Sequence, residues 1–178
     1  MKKSKLGAGL LALALLAAAR PALAGMNPQL APLAPFLGKT WRGVFPDSTP
    51  EKPNVDVSRF ELVLNGQAVR NLHSVNDGHY GGESIIYWDK AKETLVYYYF
   101  TTAGFYTSGT MRGENGTLVS HETVTGNANG ITAVRGTSRL LPDGRLHVKT
   151  EYQKGDQWTP GRDMHYVVDE KAVVRFKE

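Results

Sequence analysis

The stretch TLVYYYFTTAGFYTSGTMRGENGTLVSHETVTG (94–126) decides the fold. It holds three runs, TLVYYYFTT, FYTSGTMRG and TLVSHETVTG, parted only by Ala103-Gly104 and by Glu114-Asn115-Gly116. Threonine, valine and the aromatics suit a pleated surface, and Asn-Gly supplies the positive backbone angles of a tight hairpin turn. Nothing of helical period lies between the runs. Each strand must therefore turn back and pair with the one before it.

Outward from this stretch the pattern repeats. Asn65-Gly66, Asp77-Gly78, Asn129-Gly130 and Asp143-Gly144 are further turns of the same chemistry, with weaker ones at Asp89–Glu93, Gly155-Asp156 and Asp169-Glu170. From residue 65 to residue 169 the turns start 12 or 14 residues apart. The strands between them run TWRGVF (40–45), VDVSRFELVL, QAVRNLHSV, YGGESIIYW, the three runs above, ITAVRGTSRLL, RLHVKTEYQ and WTPGRDMHYVV, with AVVRF (172–176) as a possible last strand. In RLHVKTEYQ, Leu146, Val148, Thr150 and Tyr152 share one face and Arg145, His147, Lys149 and Glu151 the other. TLVYYYFTT is apolar on both faces, which leaves its parity open. Pro46, Pro50 and Pro53 make 46–54 a loop. A meander this long either closes or exposes two edges, and closure removes the hazard. The expected fold is all-β: an antiparallel up-and-down β-barrel of about ten strands. Ahead of it MNPQLAPLAPFLG (26–38) reads as a short N-terminal helix, with Leu30, Leu33, Phe36 and Leu37 at roughly helical spacing and Gly38 as its stop.

The first 24 residues differ from the rest. Lys2, Lys3 and Lys5 precede an apolar run from Leu6 to Ala19, and Ala22 and Ala24 supply the small residues a signal peptidase inspects. Arg20 and Pro21 cut the run short of a membrane span. The reading is a signal peptide over 1–24 and one domain over 25–178, periplasmic or secreted in a bacterium. The leader holds four of the 21 basic residues and none of the 17 acids, so the remaining 154 residues carry 17 of each. The basic balance belongs to the leader, and a nucleic-acid partner is not expected. With no cysteine in the chain, disulfides, thiol nucleophiles and iron–sulfur clusters are excluded.

The helix running into FLGKTWRG (36–43) resembles the opening of the lipocalin and calycin barrels, where a glycine and a tryptophan stand at the entrance of the first strand. Here Gly38 and Trp41 have two residues between them where that family has one. The resemblance implies a barrel that binds a small molecule, with Trp41 packed inside its closed end beneath an arginine such as Arg162 or Arg175. It implies no catalytic residues.

The chemistry-bearing residues are scattered. His73, His79, His121, His147 and His165 show no zinc-motif spacing, and no metal or cofactor, haem included, is expected. A site across strands would have to join His121, Glu122, His73 and Glu83. Ser84 and Ser108 lack the elbow of a serine hydrolase. The tyrosine-rich hairpin says more, because a buried phenol needs a partner and so makes an amphipathic lining. The expected ligand-binding residues are Tyr97, Tyr99, Tyr106, Arg112, His121 and Glu122, with Arg112 facing inward and paired with Glu122 or with a ligand's acid group. The function that follows is an exported barrel holding a small, partly apolar molecule. Two alternatives stand beside it: a periplasmic isomerase or hydrolase using His121 or Glu122 as base, and an interaction scaffold with a filled core.

Overall fold

Neighbours in the chain are neighbours in the sheet. The computed structural model describes residues 25–126 and 129–177, so the signal peptide expected over 1–24 lies outside the described residues. The strands are β1 (Thr40–Val44), β2 (Val55–Val63), β3 (Ala68–Val75), β4 (Tyr80–Asp89), β5 (Thr94–Thr101), β6 (Tyr106–Glu114), β7 (Thr117–Thr125), β8 (Ala133–Leu140), β9 (Leu146–Lys154) and β10 (Gln157–Val168). All pair antiparallel in chain order, and β1 also pairs with β10 to close the barrel. Among the described residues, no helix is long and apolar enough to cross a membrane.

The turns stand where their residues place them. Asn65, Asn76, Asp77 and Asn115, and the glycines 66, 78, 116 and 144, all have positive φ. The 172–176 segment departs from expectation, since it pairs with no strand. After Val168 the chain instead runs as a strap over the outside of the barrel, and the Arg175 amide donates to Ser74 Oγ at 3.0 Å. Ser74 points outward and is nonetheless buried.

The N-terminal helix is a 3-10 helix, Pro28–Phe36. Pro32 and Pro35 have no amide to donate, while the three-residue period puts Leu30, Leu33 and Phe36 on one edge. The Asn27 side chain caps it by accepting from the Gln29 amide at 3.0 Å. All three apolar side chains are buried, and with Trp41, Val69 and Ile86 they stopper one end of the barrel. Trp41 is fully buried and its Nε1 donates to the Phe36 carbonyl at 3.2 Å. The arginine expected over Trp41 is not there: Lys39 Nζ approaches its ring at 5.3 Å, Arg162 lies deeper in the barrel, and Arg175 sits outside by Asp77.

Candidate functional site

Four inward positions on four strands, Ser58, Ser84, Ser120 and Ser138, carry serine where a filled barrel would carry a large apolar side chain. The space they leave is a cavity of about 220 Å³, bounded on the stopper side by Phe36, Ile86, Met111, Leu118 and Leu146. Beyond a belt of polar side chains a second space of about 540 Å³ is lined by Tyr80, Phe105, Val124, Ile131 and Tyr152. His73, Tyr99, Glu122 and Arg162 border both.

The belt has two walls. On the first, Asp56 of β2 is 1% exposed. Its Oδ2 accepts from Arg162 Nη1 and from the Tyr166 hydroxyl, each at 2.7 Å, and its Oδ1 lies 3.0 Å from His73 Nδ1. Burial pushes the Asp56 carboxyl up. The hydrogen bond and charge of His73, with the Arg162 guanidinium and Tyr166, more than offset this and hold it below its ordinary value. An ionised carboxylate only accepts, so the proton of this contact sits on His73 Nδ1. On the other side of the ring His73 Nε2 lies 2.6 Å from the Tyr99 hydroxyl, which lies 3.0 Å from the Tyr80 hydroxyl. Arg162 stays cationic: burial works against its charge, and Tyr166 and Asp56 outweigh that.

Local backbone chemistry puts these groups in place. In β10 the register shifts between Pro160 and Asp163, as proline and glycine inside a strand favour. Before the shift Thr159 stands opposite inward Tyr152; after it, Met164 stands opposite inward Val148. The bulge thus flips the parity and turns Arg162 into the barrel. A Cβ on Gly82 would lie 2.4 Å from the Tyr99 ring, and one on Gly43 would lie 2.8 Å from the Tyr166 ring. Both rings rest on bare backbone.

The second wall is Glu122 of β7. The Thr107 hydroxyl donates to its Oε2, and the Tyr97 hydroxyl lies beside it. Burial raises its carboxyl above the ordinary value, and Thr107 and Tyr97 counter this only in part. Burial likewise keeps the Tyr97 and Tyr99 phenols protonated.

Three of the six expected ligand-binding residues, Tyr97, Tyr99 and Glu122, line the cavity. The other three face out. Thr107 pairs with inward Tyr99 and Met111 with inward Leu95, so odd positions of β6 point in and even ones out. Tyr106 therefore packs against Phe100 on the outer surface, its ring tilted by 34°, and Arg112, 62% exposed, pairs with Glu114 rather than Glu122. On β7 the same parity turns His121 outward against Trp158 at 5.9 Å. Glu83 faces out by its register with Leu72, which separates the four residues a cross-strand metal site would need. Among the described residues no group of three or more His, Cys, Asp or Glu is placed to hold a metal. Asp56, His73, Arg162 and Tyr166 are absent from the expected set. The signals for them were the inward parity of Val69, Asn71 and His73 in AVRNLHSV and the bulge-forming Pro160-Gly161.

No family model matches the chain, and no curated protein matches it. Among solved structures it is similar to Rv2717c from M. tuberculosis, at 15% identity and a TM-score of 0.57, over 83% of this chain and 99% of that one. At that identity the likeness is one of fold.

Proposed function

We propose that the protein is an exported barrel of lipocalin-like type that holds a small molecule with an apolar body and a polar end. The observation that carries this reading is the division of the interior into an apolar chamber behind four serines and a fixed polar belt in front of it. An apolar body burying about 200–300 Å² contributes roughly 5–8 kcal/mol at about 25 cal/mol per Å², before the loss of translational freedom. Micromolar affinity for an unmatched probe follows. The uncharged fluorophore 1-aminoanthracene should bind at one saturable site, and Ser138→Phe, which fills the chamber, should abolish it. A folded protein that shows no saturation would end the ligand reading and leave the scaffold alternative.

Export is supported by the leader composition of residues 1–24. N-terminal sequencing of exported protein should read from Gly25, and retained Met1 would refute cleavage. A catalytic reading with a histidine base draws on the oriented Asp56–His73 pair. Both ring nitrogens of His73 are already engaged, by Asp56 and by Tyr99, which favours a binding role over a base with a lone pair to offer.

A further inference from the structure

Two carboxyl groups face one cavity, and only one of them has a cation. Asp56 meets Arg162 and His73; none of the ion pairs among the described residues includes Glu122. On the inner face of the barrel the strands around Glu122 place no cationic side chain, since Arg112 of β6 and Arg135 of β8 are exposed and pair with Glu114 and Glu151. Thr107 of β6 and Tyr97 of β5 offer hydroxyls, and Val134 and Gly136 of β8 are uncharged. Across the cavity Arg162 and His73 are committed to Asp56, and Tyr80, Tyr99 and Tyr152 are phenols. His121, its neighbour in the chain, turns outward, and its charge acts on the Glu122 carboxyl only as the last and smallest of the influences that oppose burial.

The Asp56–Arg162 pair is neutral as a unit, so the second wall sets the charge preference of the interior. An ionised Glu122 there is a desolvated carboxylate with hydroxyl donors and no counter-ion, an arrangement that stands only if something else supplies the charge. We infer that the cavity takes a cationic ligand, a protonated amine on an apolar body, whose ammonium pairs with Glu122 while the body fills the serine-lined chamber. This rests on the binding reading above and names the class of ligand. It also reverses the acid-bearing ligand that an inward Arg112 would have selected. The raised Glu122 carboxyl agrees with it, because burial disfavours the carboxylate and a cation arriving beside it favours the ionised form.

The test is calorimetric titration of the whole exported protein with three matched probes: 4-phenylbutylamine, 4-phenylbutanol and 4-phenylbutyrate. At about pH 7.5 the amine should bind about tenfold or more tighter than the alcohol, equivalent to about 1.4 kcal/mol, and the acid more weakly than either. In Glu122→Gln the amine-to-alcohol ratio should fall to about one, whatever the alcohol's own affinity becomes. A second reading needs no variant. In the wild type the amine's advantage should grow from about pH 5 to about pH 8 as binding drives a proton off Glu122, and the alcohol's affinity should stay flat. Equal binding of amine and alcohol, or an advantage that survives Glu122→Gln, would overturn the cationic ligand and leave the cavity standing. Failure of all three probes would remove the binding reading together with it.

Discussion

Asp56 and Glu122 are carboxyl groups in one interior whose titrations run in opposite directions, and each has a consequence for stability. The folded state holds the Asp56 carboxyl below its ordinary 3.8. The stability this contributes is fully present above about pH 3.8 and is lost as the pH falls through the folded value. Asp56→Asn should therefore flatten the limb below about pH 3.8 in a urea-denaturation series run from about pH 7 down to about pH 2. At neutral pH the same change strands Arg162 without its counter-ion and should cost about 3–5 kcal/mol. A variant as stable as wild type at neutral pH would show that the pair is solvated. Glu122 behaves oppositely: below its ordinary 4.5 it is protonated in both states and carries no charge to bury, and it opposes folding increasingly as the pH rises from there through the folded value. Glu122→Gln should raise the urea midpoint near pH 7 and lose that advantage near pH 4. A midpoint that drops at neutral pH would show the carboxylate already stabilised by its hydroxyl neighbours.

At the scale of the elements, two contacts decide how the site is held. The Tyr99 ring lies flat on β4 because Gly82 has no side chain, and a Cβ there would also sit 2.2 Å from the Phe100 carbonyl oxygen. Gly82→Ala should cost about 1–3 kcal/mol as overpacking and should shift the His73 ring resonances, since Tyr99 could no longer reach Nε2. Unchanged resonances would refute this placement. Trp41 joins β1 to the 3-10 helix, and Trp41→Ala should cost about 3–5 kcal/mol in urea as a large core deletion. A loss below about 0.5 kcal/mol would show the stopper to be independent of it. The order of the strands was legible because asparagine and aspartate before glycine force hairpins, and regular spacing leaves little choice of partner. Face parity was not legible. TLVYYYFTT places rings on both sides, and only its register with β4 and β6 sends Tyr97 and Tyr99 in while Tyr98 and Phe100 go out. Half of the expected site inherited the wrong parity from that ambiguity. The Asp56 wall of the belt was hidden for a different reason: Asp56, His73, Arg162 and Tyr166 stand on β2, β3 and β10, and Asp56 and Arg162 meet across 106 residues that local pattern does not span.

For the whole molecule, closure is the step that the meander leaves to the end. Every other strand pair is local in sequence, but the β1–β10 seam joins Trp41 to Val168, Arg42 to Val167 and Gly43 to Tyr166, three partners where β2–β3 has eight. So short a ladder should be the first to open, and long-range contacts of this kind are also the slow ones to form. The seam has a second fastening inside the barrel. Asp56 on β2 reaches past β1 to take hydrogen bonds from Tyr166 and Arg162 on β10, so the charged pair in the cavity also bridges the closing strands. Site and closure are therefore one structure, and a change at Asp56 should be felt along the seam before it is felt elsewhere. In native-state hydrogen exchange, Asp56→Asn should speed the amides of Trp41–Gly43 and Tyr166–Val168 by more than those of the β6–β7 pair. Glu122→Gln, on the far wall, should leave the seam's relative protection as it was. Uniform acceleration of all strands by Asp56→Asn would mean that the barrel opens only as a whole, with the buried pair contributing to global stability and nothing to the seam in particular.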